Sequence, residues 1–182
     1  MSSGIVIRRV SADDATALGN FFTAVAADAE AVRFFHPHPF TCELAEELCH
    51  RVVVCRDRYY VACYQDHVIA YMMLRGWDEG YTVPSFGVCN HPALRDVGLG
   101  QALLTHAVEE SRSDGAPQLR LTVFKSNERA VHVYRKFGFV FHEKNERELV
   151  GLLDLANCST IPTRPINLAK IQAWVEGQNQ VA

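Results

Sequence analysis

The sequence predicts an α/β fold: a single mixed β-sheet flanked by helices, with a C-terminal extension. Two observations carry this. Short strand-like segments and amphipathic helical segments follow one another in the order β-α-α-β-β-β-α-β-α-β-β. Between one strand and the helix after it stands a glycine turn, Arg95-Asp96-Val97-Gly98-Leu99-Gly100, of the kind that lets backbone amides approach a ligand.

Taken in order, residues 5–10 alternate weakly between apolar and polar and read as a first strand. Ser11-Ala12-Asp13-Asp14 matches an S-x-x-D capping signal in which the Ser11 hydroxyl accepts a helix amide. A helix rich in Ala, Leu and Phe then runs to about Asp28. Phe34-Phe35-His36-Pro37-His38-Pro39-Phe40 cannot be helical, because each proline restricts the residue before it. Thr41 caps a second helix with Leu44, Leu48 and Val52 on one face. Residues 59–64 and 68–74 are strands joined by Gln65-Asp66-His67, a connection suited to a hairpin. After Trp77-Asp78-Glu79-Gly80 a third strand covers 85–90. Gly98 opens a helix with Leu99, Leu103, Ala107 and Val108 on one face. Residues 118–124 are a strand, 127–136 a helix, and 139–143 with 148–155 a closing strand pair.

The domain therefore covers 1–155 and the extension 156–182, the latter part helical. In the extension, Leu168, Ile171, Trp174 and Val175 recur at helical spacing, which suits either a partner-docking helix or one packed on its own domain. An apolar fraction of 48% and a charged fraction of 21% are those of a globular domain with a sizeable core. A net charge of -3 speaks against nucleic acid, which is usually met by a basic face. The N-terminus lacks a basic region followed by a long apolar stretch, so neither a signal peptide nor a membrane span is expected, and the expected location is cytoplasmic. The six cysteines contain no C-x-x-C pair and several lie in apolar strings; reduced thiols are expected over disulfides or zinc.

Helix-start amides have no intrahelical acceptor and, with the macrodipole, form an anion site; Arg95 adds a guanidinium suited to phosphate oxygens. Other phosphate motifs fit poorly. A dinucleotide fingerprint needs a third glycine where Leu103 stands, and a P-loop needs Lys and Ser or Thr where Gln101-Ala102 stands.

Arg95-x-x-Gly98-x-Gly100, after a strand and His91-Pro92, resembles the acetyl-CoA signature of the GNAT (Gcn5-related N-acetyltransferase) superfamily. About thirty residues on, Asn127-Glu128-Arg129-Ala130-Val131-His132-Val133-Tyr134-Arg135-Lys136-Phe137-Gly138-Phe139 resembles its second hallmark, N-x-x-A-x-x-x-Y-x-x-x-G-F. The resemblance implies a GNAT-like acyl-CoA N-acyltransferase fold, acetyl-CoA as cosubstrate and no metal. It assigns the pantetheine arm to the backbone of Val88, Cys89 and Asn90. The diphosphate falls to the amides of Asp96, Val97, Gly98, Leu99, Gly100 and Gln101, with Arg95 nearby, and a further cofactor contact falls to Asn127. Tyr134 would protonate the departing thiolate, a task a phenol of pKa about 10 can perform.

The base does not carry over. Relatives that acetylate a ribosomal protein's N-terminus have a glutamate where Thr122 stands, so candidates here are Asp78, Glu79, His36 and His38. Family substrates enter near the two segments containing Phe34, Phe35, His36 and His38, and Trp77, Asp78, Glu79 and Tyr81. Flat rings beside carboxylates and imidazoles suit a sugar or a cationic amine. The expected acceptor is the primary amine of a small molecule, first an amino sugar or nucleotide-linked amino sugar. Alternatives are a protein or peptide N-acetyltransferase, O-acetylation, and a non-catalytic acyl-CoA-binding regulator. A second copy of the chain is an optional partner.

Overall fold

The computed structural model describes residues 4–35, 37–51, 53–158 and 164–180. His36 and Val52 lie outside the described residues. Seven strands form one sheet in the order β1-β2-β3-β4-β5-β7-β6. They are β1 (Val6–Arg9), β2 (Arg58–Tyr64), β3 (His67–Arg75), β4 (Ser85–Asn90), β5 (Gln118–Phe124), β6 (Val140–Glu143) and β7 (Glu148–Asp154). The helices are α1 (Ala15–Ala26), α2 (Ala29–Phe34), α3 (Cys42–Arg51), α4 (Leu99–Ser113), α5 (Glu128–Lys136) and α6 (Leu168–Asn179). All strand pairs are antiparallel except β4 with β5.

Strands β2 and β3 read as nearly continuous apolar runs because helices cover both faces of the sheet. Tyr60, Ala62, Met72 and Leu74 pack with Leu99, Leu103 and Leu104 of α4, while Tyr59, Val61, Tyr71 and Met73 pack with Leu18, Phe22 and Val25 of α1. Helix α6 inserts Ile171 and Val175 into the α4-side core, both essentially inaccessible to solvent. Its Trp174 ring lies 4.4 Å from that of His91. Among the described residues, no helix is long and apolar enough to cross a membrane, and all six cysteines are free thiols.

One local expectation needs correction. The chain does not continue helically to Asp28 and then stop. Asp28 is extended (φ -102°, ψ 111°) and its carboxylate accepts the Ala31 amide at 2.8 Å, capping the separate helix α2. Three helices therefore precede β2. At the first helix the S-x-x-D capping box forms, with the Asp14 carboxylate accepting the Ser11 amide at 2.8 Å and its hydroxyl at 2.9 Å, and the segment opens as a 3₁₀ turn over Ala12–Asp14. Asp14 is claimed further by Arg8, whose guanidinium holds its carboxyl below the usual carboxylate range.

Candidate functional site

The site begins where two parallel strands part. Strand β4 pairs with β3 along its whole length, from Ser85 opposite Arg75 to Asn90 opposite Ala70. With β5 it pairs only at Ser85–Arg120 and Phe86–Leu121. Beyond that, β5 remains bonded to β7 out to Phe124 while β4 turns away. Backbone groups of β4 from Gly87 to Asn90 thus face a gap, and such groups demand partners. A cleft of about 890 Å³ fills this gap, lined on one side by Val88, Cys89 and Asn90 and on the other by Thr122, Val123 and Phe124. The Asn90 side-chain oxygen is buried at its edge without a hydrogen-bond partner.

At one end of the cleft is the glycine turn. Asp96 (φ 64°) and Gly98 (φ 90°) both take left-handed conformations, which swing the chain sharply from the strand into α4. The first amide bonded back into the helix is Ala102, to the Gly98 carbonyl at 3.2 Å. The amides of Leu99, Gly100 and Gln101 have no acceptor among the described residues. Val97 and Leu99 bury their side chains in the core, so only their backbone can serve a ligand. Gly100 has only the Asn90 amide near its missing Cβ, at 3.4 Å, and lines the cleft. These features fit an acyl-CoA: an unpaired strand edge for an amide-bearing arm and free amides for a diphosphate.

Arg95 lines the cleft, but its guanidinium is committed elsewhere. It forms an ion pair with Asp28, approaches Glu30 at 3.6 Å and donates to the Pro92 carbonyl at 3.5 Å. This ties the turn to α2, a contact invisible in the motif because its partner lies 67 residues away. Asp96 in turn pairs with Arg129. Asn127 caps α5 by accepting the Ala130 amide at 3.2 Å and lines the cleft.

Tyr134 lines the middle of the cleft, half-buried, with Phe86 at 6.4 Å and Phe139 at 5.7 Å between ring centroids. The Gly138-Phe139 pair explains its packing. Gly138 takes φ 90°, and the Phe139 amide bonds back to the Tyr134 carbonyl at 3.1 Å, folding Phe139 under the tyrosine ring. The Tyr134 hydroxyl makes no hydrogen bond among the described residues, and burial pushes its pKa up to about 12.

The opposite end is bordered by Phe34, Phe35, Pro37, Arg75, Glu79 and Tyr81. Several sequence candidates are not there. His38 is half-buried among Phe22, Phe35 and Phe40, bonded to the Tyr71 hydroxyl (3.1 Å) and the Pro39 carbonyl (2.7 Å), and desolvation there lowers its pKa. Asp78 turns from the cleft to accept the Arg56 amide at 2.7 Å. Trp77 is buried with Arg58 stacked on its ring. Phe35 borders the cleft but is largely buried in the core. The loop is pulled into this arrangement by Asp57, whose buried carboxylate accepts the amides of Gly76, Trp77 and Asp78. Of the proposed bases among the described residues, Glu79 alone borders the cleft, 3.8 Å from Arg75.

The sequence reading missed Glu148, Arg120 and Lys144, all of which line this end. Glu148 stands opposite Phe124 across β5 and β7 and is bonded by Lys144 (3.0 Å) and Asn145 (2.8 Å). No local motif marks these residues; strand register alone brings them to the cleft. Among the described residues no cluster of three or more His, Cys, Asp or Glu could hold a metal.

The splayed parallel pair, the amide-lined turn and the tyrosine between them line one continuous cleft. The sequence model of the acetyltransferase (GNAT) family matches residues 25–139, and the chain belongs to that family. Streptothricin acetyltransferase of Streptomyces lavendulae is 37% identical over 65 residues, covering 36% of this chain and 33% of that protein; the chain thus matches a third of the relative's length. Among solved structures, a GNAT-family acetyltransferase from Streptococcus pneumoniae aligns with a TM-score of 0.67 at 20% identity, over 82% of this chain and 97% of that one. The yncA protein of Salmonella typhimurium, solved with its cofactor acetyl-CoA, aligns with a TM-score of 0.66 at 17% identity, over 87% and 98%.

Proposed function

We propose that the protein moves an acetyl group from acetyl-CoA to the primary amine of a small polar molecule, with amino sugars and nucleotide-linked amino sugars as the leading class. The observation that carries this reading is the continuity of one cleft, from the free amides of α4 past Tyr134 to a rim of mixed rings and charges. Acetyl-CoA supplies the acyl group as a thioester. The acceptor nitrogen bonds to the carbonyl carbon as the carbon–sulfur bond breaks. Tyr134 gives its hydroxyl proton to sulfur, and Glu79 or Glu148, directly or through water, takes the proton from nitrogen. Backbone amides of the unpaired β4 edge offer hydrogen bonds to the carbonyl oxygen as charge develops there. Glu79 and Glu148 suit a cationic amine, while Arg75, Arg120 and Lys144 suit phosphate or carboxylate on the same molecule.

The acceptor is tested with a panel of amino sugars, nucleotide-linked amino sugars, polyamines, streptothricin and peptides, following thiol release from acetyl-CoA. Turnover of the sugars is expected. Turnover confined to peptides would remove the small-amine reading, and failure to bind acetyl-CoA would remove the activity itself.

A further inference from the structure

The C-terminal extension passes directly over the glycine turn. The Arg164 amide donates to the Gln101 side chain at 2.9 Å, the Asn167 amide to the Val97 carbonyl at 2.9 Å, and Lys170 Nζ to the Arg95 carbonyl at 3.0 Å. The approach is close: a Cβ on Gly98 would stand 3.1 Å from the Pro165 carbonyl and 3.2 Å from that of Arg164. Upstream, Arg112 holds the start of the extension through the carbonyls of Leu155 and Cys158. Downstream, α6 is anchored by buried Ile171 and Val175. The crossing is therefore pinned from both sides.

This crossing brings Arg164 to the wall of the cleft beside Gly98, Gly100 and Gln101. The other arginines at that end are already committed, Arg95 to Asp28 and Arg129 to Asp96. The Arg164 side chain has no carboxylate or other hydrogen-bond partner among the described residues. A guanidinium held by its backbone beside free helix amides, with no internal counter-charge, is placed to pair with phosphate.

We infer that the extension is part of the cofactor site, and that Arg164 binds a phosphate of the nucleotide half of acetyl-CoA. This rests on the acetyl-CoA reading above. The arginine of the turn is then a structural tie, and the extension supplies the cation the motif only seemed to provide. It follows that detaching α6 weakens cofactor binding without any substitution in the turn itself.

The test measures acetyl-CoA and dephospho-CoA binding by calorimetry for the wild type, Arg164→Ala and Arg164→Lys. Arg164→Ala is expected to weaken acetyl-CoA about tenfold, with a shallower salt dependence; Arg164→Lys recovers part of the loss. A penalty that vanishes with dephospho-CoA places the contact on the 3′-phosphate, and one that persists places it on the diphosphate. Trp174 fluorescence checks that the extension stays docked in both variants. A docked Arg164→Ala that binds acetyl-CoA as tightly as the wild type overturns the inference. A wild type that binds no acetyl-CoA overturns the functional reading beneath it instead. As a second probe, Ile171→Asp, which undocks α6, should reproduce the loss; wild-type affinity with α6 undocked would also overturn the inference.

Discussion

The two ends of the cleft are built by different means. The donor end is made largely of backbone: unpaired groups of β4, free amides of α4, and a turn whose shape depends on Gly98. The acceptor end is made of side chains delivered by α2, the 76–81 loop, β5 and β7. Backbone geometry needs few residue types and tolerates change elsewhere, so it leaves a short motif. A side-chain rim can be assembled from many sequences, so it leaves none. The difference explains why a donor is easy to recognise in this family while an acceptor is not.

The sharpest way to test the boundary between the ends is Tyr134, which stands between them. Tyr134→Phe is expected to lower kcat by about 100- to 1000-fold while acetyl-CoA affinity stays within about twofold. Steady-state kinetics and calorimetry read the two separately, and a loss of affinity with unchanged kcat would make Tyr134 a packing residue. Because burial raises its pKa to about 12, the acid form persists until pH rises through that value. The wild-type rate should therefore show no alkaline limb from this group below about pH 11. A limb near pH 9 that disappears in Tyr134→Phe would contradict the raised pKa while keeping the acid role.

The next effect concerns the acceptor end alone. Asp57→Ala strips the amides of Gly76, Trp77 and Asp78 of their shared acceptor. It should cost about 1–3 kcal/mol in denaturant unfolding and raise the acceptor KM, with acetyl-CoA affinity unchanged. Asp57→Asn keeps an acceptor oxygen and should lose less than half as much. Equal losses in both variants would show that charge matters here more than hydrogen bonding.

At the donor end, Gly98→Ala forces a side chain into a left-handed position and toward the extension, costing about 1–2 kcal/mol in thermal or denaturant unfolding. Gly100→Val, by contrast, should leave stability nearly unchanged and weaken acetyl-CoA about tenfold, since its bulk enters the cleft. If the two substitutions act alike, the division of labour within the turn is wrong. The smallest effects are expected from Glu79→Gln and Glu148→Gln, about tenfold or less in kcat/KM, because an amine of pKa near 8 already has about a tenth of its molecules as the free base at pH 7. Whichever variant shifts the acidic limb of the pH profile identifies the base; a shift in neither assigns the role to solvent.

Much of this was legible before the fold was known. The hairpin at Gln65, strand β5 and helix α5 follow from local periodicity and turn chemistry, and the two glycine-bearing motifs follow from backbone needs at Gly98 and Gly138. The separate helix α2 was missed because Asp28 interrupts an otherwise unbroken helical composition, and only its extended dihedrals reveal the break. Asp78 and His38 looked like bases from loop composition, yet Arg56 and Tyr71 had prior claims on them.

By itself the sequence determined the order of the seven strands, the glycine turn and the tyrosine helix, because each depends on dihedral preferences and periodicities within a few residues. Tertiary structure alone decided that Arg95 serves α2, that Glu148 reaches the cleft, and that the extension lies across the turn with Arg164 at its edge. Those contacts join residues tens of positions apart, and a charged side chain takes the partner that packing brings nearest, whatever its motif suggests.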